Sequence, residues 1–381
     1  MKKTLWALVF SLGLLLAGGS FSITSFAGVL AGGNTHYTVV CGDGTVWGWG
    51  NHDEWQLGVD DYVYDGIVQA DSISNVRAVE AGTHHTVALK HDGTVWIWGT
   101  LAGGCSACPY GVGVWETPVQ VSGLTGVIAI SAGGSHSLAL KSDGTVWAWA
   151  TNSNGQLGDG TTTNRNSPVQ VSDLSGVIAI AAGYSHSLAL KSDGTVWAWG
   201  YNGQGQLGDD SSTDRSTPVQ VSNLTGVVAI GAGGDANGGH SMALKVDGTV
   251  WAWGYNGQGQ LGDDTSTNRD TPVQASNLTG VIAIAAGGRH SLAVKNNGSA
   301  WAWGYNGEGQ LGDDSTTNRD VPVQVSSLTG VTAIAGGINH SLGLKNDGNV
   351  YRWGLGGWFS SSDVPVSMSQ YELCSVDLVC R

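Results

Sequence analysis

Residues 132–180 read AGGSHSLALKSDGTVWAWATNSNGQLGDGTTTNRNSPVQVSDLSGVIAI. This block decides the fold, because it recurs almost verbatim four more times and self-similarity at a fixed period outranks any single motif. Its histidine falls at His136, His186, His240, His290 and His340, and weaker copies upstream place His36 and His85 in the same register. The spacings are 49, 51, 50, 54, 50 and 50 residues, so seven copies fill the chain from residue 28 onward.

Each copy reads as four short strands. In the fourth copy Val177 to Ala181 is a continuous apolar run, whereas His186 to Lys191 and Thr195 to Trp199 alternate, and Pro218 to Val221 supplies a fourth segment. Between the second and third lies Ser192-Asp193-Gly194, a tight-hairpin signal that recurs in the other copies as Asp-Gly or Asn-Gly. Four antiparallel strands repeated seven times predict an all-β fold, a seven-bladed β-propeller of four-stranded antiparallel blades. Nothing in the repeat reads as a helix.

Outside the repeats, Lys2 and Lys3 precede an apolar run from Leu5 to Ala17, and Ser25-Phe26-Ala27 offers small residues for cleavage. Residues 1–27 are therefore expected to be a signal peptide, and residues 28–381 a single propeller, secreted or periplasmic, with no membrane insertion after cleavage. The chain carries 16 Lys+Arg against 30 Asp+Glu, a net charge of −14 that becomes −16 when the two lysines leave. No segment concentrates basic residues, which argues against nucleic-acid partners. With 61 Gly but only 7 Pro, 17 Trp and 41 % hydrophobic residues among 381, the composition excludes collagen and bulk disorder.

The run G-x-x-H-S-L-A-L-K-x-D-G-T-V-W-A-W-G-x-N-x-x-G-Q-L-G-D resembles the repeat of the regulator of chromosome condensation family. The resemblance covers nearly the whole chain after residue 27 and implies the propeller fold and a regulatory, non-enzymatic role. Eukaryotic members of that family exchange guanine nucleotide on a GTPase and bind chromatin, whereas a secreted bacterial propeller of similar shape inhibits β-lactamases. An exported acidic chain fits the second use better.

Strand order places the first-to-second and third-to-fourth connections on one face of the ring and the Asp-Gly hairpins on the other. The candidate partner-binding face thus carries His36, His85, His136, His186, His240, His290 and His340, with Trp55, Trp115 and Trp358 in divergent connections and Asp235 and Asn237 in a four-residue insertion of copy 5. Each histidine comes from a different blade, too far apart for a metal centre, and hydrogen bonding at the start of its strand is the expected role. The paired tryptophans, such as Trp147 and Trp149, are expected to pack between blades.

Asp209-Asp210, Asp263-Asp264 and Asp313-Asp314 precede Arg215, Arg269 and Arg319, and an intraloop ion pair is the reading adopted. Cys105 with Cys108, and Cys374 with Cys380 or Cys41, are disulfide candidates. The chain termini are expected to complete a blade and close the ring. No cofactor is expected, and the functional expectation is a monomeric scaffold for a protein partner, an inhibitor or regulator of an extracytoplasmic protein. The alternatives are an exchange factor for a small GTPase and a carbohydrate-binding or carbohydrate-active propeller.

Overall fold

A computed structural model describes residues 28–60, 66–101, 114–355 and 361–368. Its described strands form seven four-stranded antiparallel sheets, spanning residues 30–69, 76–120, 127–170, 177–220, 227–274, 281–324 and 331–367, which we number as blades 1 to 7. Within each sheet the chain order is the spatial order, so every blade is an up-and-down meander. Blade 4 shows the pattern with inner strand Val177–Ala182, second strand His186–Lys191, third strand Val196–Gly200 and outer strand Arg215–Gln220.

The outer strand starts three residues before the predicted Pro218. A register shift between Ala198 and Gly200 lets Gly200, at φ 104°, pair with Arg215, a backbone conformation that costs glycine little. Trp197 and Trp199 lie on one side of the third strand, as the two-residue period demands. Trp199 is fully buried, whereas the Trp197 ring carries the Lys191 ammonium 5.4 Å from its centroid.

Apolar side chains collect between blades rather than at one centre. Leu138, Leu140, Val146 and Leu157 of blade 3 pack with Val177, Ala182, Ala189 and Trp199 of blade 4, and equivalent clusters fill the following junctions. A blade cannot bury its two faces alone, so each is stable only between neighbours.

At the N-terminal end of the described residues, Leu30–Gly32 is the inner strand of blade 1, paired Leu30 to Val39. Blade 7 is complete from residues 331–367, and the Gly33 carbonyl accepts a hydrogen bond from the Ile338 amide across the closing junction. The C-terminal closure segment, Ser375 to Val379, lies outside the described residues, as do residues 1–27, Cys105, Cys108, Trp358, Cys374 and Cys380. Cys41 is half-buried. No helix among the described residues is long and apolar enough to cross a membrane.

Candidate functional site

The ring histidines are inside the wall. All seven are buried, none more than 2 % exposed, so the expectation that they present a contact surface is corrected. In six of them the Nε2 atom reaches a hydroxyl of the next blade at 2.9 to 3.0 Å: Thr86, Ser137, Ser187, Ser241, Ser291 and Ser341. The Ser187 hydroxyl donates onward to the Gln156 carbonyl at 2.9 Å, and the Trp199 indole N–H donates to that same carbonyl at 2.9 Å. The full arrangement repeats at the junctions of blades 1 and 2, 4 and 5, and 5 and 6.

This chain of bonds assigns the tautomer. Ser187 spends its one proton on Gln156, so His186 of blade 4, bonded to Ser241, and His136, bonded to Ser187, must each carry the proton on Nε2. Their Nδ1 atoms are buried without a hydrogen-bond partner. The imidazole lies against glycine: a Cβ on Gly183 would collide with Cε1 of His186. That contact explains why the signature demands glycine three residues before the histidine. Desolvation on burial depresses the histidine pKa values, to about 3 for His186 and about 4 for His136. The rings are neutral structural pegs at neutral pH.

The repeated third-to-fourth connection is equally absorbed by structure. Asn202, buried, accepts the Leu207 amide at 2.9 Å and donates to Asp209 Oδ1 and to the carbonyls of Ser211 and Thr213. Each acidic pair splits. Asp209 Oδ2 accepts from Arg215 Nε at 2.9 Å, with the same pairing at Asp263 with Arg269 and Asp313 with Arg319, as the spacing predicts. Asp210, Asp264 and Asp314 turn outward in the left-handed region. On the opposite face the Asp143 carboxylate accepts the Thr145 amide and hydroxyl, and Thr145 in turn accepts the Trp147 indole N–H.

The residues that depart from the repeat are what remains for recognition. Trp55 occupies the position held in blades 3 to 6 by glycine, at φ 62°. For a bulky side chain that is strained backbone, which marks functional positions. It is half-buried and meets His52 edge-on at 5.4 Å between ring centroids. Trp115 is corrected: it lies in the outer strand of blade 2, paired with Gly99, only 8 % exposed. It takes the place of the repeat arginine, whose aspartate partner has no counterpart in copy 2, and so joins the core.

Copy 5 lengthens the first hairpin, with inner strand Val227–Asp235 and second strand Gly238–Lys245. Asp235, expected as a contact residue, is 8 % exposed and pairs with Arg289 Nε of blade 6 at 2.8 Å. The Arg289 guanidinium sits 4.4 Å from the Tyr305 ring centroid, and Asn237 at the hairpin tip is exposed. Tyr184 and Ile338 line the axial channel. Sequence reading missed Tyr184, Arg289 and Ile338. Their signal is that Tyr184 and Ile338 stand where copies 3 and 6 have Gly134 and Gly288, and Arg289 stands where copies 3 and 4 have Ser135 and Ser185. Among the described residues no group of three or more His, Cys, Asp or Glu could hold a metal.

Seven four-stranded meander blades in a ring, with one loop face that departs from the repeat, define a β-propeller of the repeat kind. Residues 112–360 match the RCC1-like domain, and the chain belongs to that family. It is 37 % identical over 128 residues to the human E3 ubiquitin-protein ligase HERC2, covering 32 % of this chain and 3 % of that protein. To the Schizosaccharomyces pombe protein pim1 it is 28 % identical over 131 residues, 34 % of this chain and 18 % of the relative. The chain thus spans only a small part of these curated relatives.

Among solved structures, Prp20p from Saccharomyces cerevisiae superimposes with TM-score 0.74 at 24 % identity, over 82 % of this chain and 81 % of Prp20p. Prp20p is described by its binding to Gsp1p and histones. Human WBSCR16 gives TM-score 0.73 at 25 % identity, over 83 % and 86 % of the two chains.

Proposed function

We propose that this chain is an exported protein-interaction scaffold that presents the loop face around its channel mouth to a protein partner, acting as an inhibitor or regulator of an extracytoplasmic protein. The observation that carries the reading is the division of labour on that face. The repeated residues are consumed by the junctions and turns, whereas Trp55 sits in strained backbone with no counterpart in blades 3 to 6. Tyr184, Asn237 and Arg289 vary on the same rim. Large aromatic and arginine side chains at such positions are the usual anchors of protein interfaces. Export rests on the Lys2-Lys3 and Leu5–Ala17 pattern, and the family's recorded protein partners support the general role.

Affinity capture from envelope and culture-supernatant extracts tests this. The wild-type bait is compared with Trp55→Gly/Tyr184→Ala/Asn237→Ala and with Val246→Ser on the opposite face, where Val246 is 68 % exposed. The expected result is one partner retained by the wild-type and Val246→Ser baits and lost by the triple variant. Loss with Val246→Ser alone, or no partner at all, contradicts the proposal.

A second reading, guanine nucleotide exchange on a small GTPase, draws on the likeness of fold to Prp20p. Accelerated release of a fluorescent GDP analogue would support it over the inhibitor reading.

A further inference from the structure

The seven inner strands enclose a cavity of about 250 Å³ on the ring axis. Its wall is mostly glycine, alanine and isoleucine, with Asn34, Thr83, Ser131 and Tyr184 as neutral polar members. Glu80 is the only charged side chain among the described residues that line it.

Register shows how singular that residue is. Glu80 pairs with Val87, the second residue after a ring histidine. The same position in the other blades holds Ala31, Ser131, Ala181, Gly231, Ala285 and Ala335. Four blades are built with alanine there, so the ring has no structural need of a carboxylate. Among the described residues no hydrogen bond or ion pair engages it.

Glu80 is half-buried on the channel wall, and holding an unpaired carboxylate there is costly: desolvation raises its pKa to about 8. The cost is relieved by a proton or by a cation brought in from outside. The titratable groups on strands packed against its own are His36, Tyr37, His85 and Lys90, and Arg77 lies on the same strand; the Tyr37 hydroxyl is turned to the Leu355 carbonyl at the junction of blades 7 and 1. The two histidines are neutral pegs, with pKa values near 3. Arg77 donates to the Val127 and Ile128 carbonyls of blade 3. Lys90 pairs with Val76 at the far end of the strand and covers the Trp96 ring.

We propose that the axial channel is a binding site for a primary ammonium group that pairs with the Glu80 carboxylate. An ammonium has three donors. One meets Glu80, and the others meet carbonyls on the inner strand edges, which have no fifth strand to pair with. The alkyl stem lies against the Ala and Ile side chains of the wall. A divalent metal is a poor fit, because it needs several oxygen or nitrogen ligands and the channel offers one carboxylate. The ammonium could belong to a free alkylamine or to a lysine side chain of a polypeptide entering from the loop face. The site does not depend on the partner-binding reading, and its test uses no partner.

Isothermal titration of the purified protein with n-butylammonium chloride, with acetyl-Gly-Lys-Gly-amide and with neutral n-butanol tests it. Butylammonium should bind, and on the order of thirtyfold more tightly at pH 9 than at pH 6.5, as Glu80 ionises through its pKa of about 8. Binding should vanish in Glu80→Gln and Glu80→Ala, the latter carrying the residue of four other blades. Binding of both cations assigns the site to a lysine side chain, and binding of butylammonium alone assigns it to a free amine. No binding of either cation by the folded protein, equal binding of n-butanol, or binding that survives in folded Glu80→Ala overturns the proposal.

Discussion

Two kinds of junction hold this ring, and they differ in chemistry. Between consecutive blades, as at His136, Ser187, Gln156 and Trp199, neutral hydrogen bonds link imidazole, hydroxyl, carbonyl and indole. Between blade 7 and blade 1 the serine position is Tyr37. The His340 ring centroid lies 4.0 Å from that of Tyr37, and Trp49 stacks on the Tyr37 ring at 5.1 Å and 7°. The Tyr37 hydroxyl donates to the Leu355 carbonyl at 2.7 Å, while His340 Nε2 and Trp49 Nε1 are buried without hydrogen-bond partners among the described residues. A repeat interface can be copied through the chain, but the closing one must join two ends. Here it is made of aromatic surface rather than polar register.

Acid should have the largest effect, because it breaks both kinds of junction at once. The buried histidines have folded pKa values near 3 to 4, below the ordinary 6.5. Their contribution to stability is therefore complete above pH 6.5 and is lost as pH falls from 6.5 toward 3. Each shift corresponds to about 3–5 kcal/mol, and a domain has only about 5–15 kcal/mol in total. Urea midpoints measured from pH 7 to pH 4 should fall steeply and reach zero before pH 4. A flat profile would remove the buried-neutral account of the pegs.

Single substitutions then separate the junctions. Tyr37→Ala removes the stack and should cost about 3–5 kcal/mol, as for other buried aromatics, read by the shift in urea midpoint. Ser187→Ala leaves the His136 N–H and one Gln156 lone pair unserved within intact packing, and should cost about 1–3 kcal/mol. If the two losses came out reversed, polar register rather than aromatic packing would dominate the closure. Smallest is Lys141→Ala, which removes an ammonium 5.4 Å from the exposed side of Trp147. It should cost about 0.5–1 kcal/mol and serves as the measure of an effect outside any junction.

Much of this was legible in the sequence because it is local. Strand period, Asp-Gly turns and the six-residue spacing of Asp209 and Arg215 depend on neighbours along the chain, and each was read correctly. The destination of the histidines was not, because their partner is a serine about fifty residues away. The signal was the His-Ser pair of copies 3 to 7, since each of those serines serves the histidine of the preceding copy. Trp115 misled because its loop-like surroundings hid that it replaces an arginine whose aspartate is missing. Glu80 stood in plain view as an acid where four other inner strands hold alanine, but its place on the channel wall and its isolation give it meaning only in three dimensions.

The most direct test of the junction account is nitrogen-15 NMR of the histidine side chains at pH 5.5. The account predicts six rings that are neutral, protonated on Nε2 and hydrogen-bonded, with no titration step near 6.5 while the protein stays folded. Signals assigned to any of those six rings that titrate near 6.5 in the folded state, or that report the Nδ1 tautomer, would contradict it.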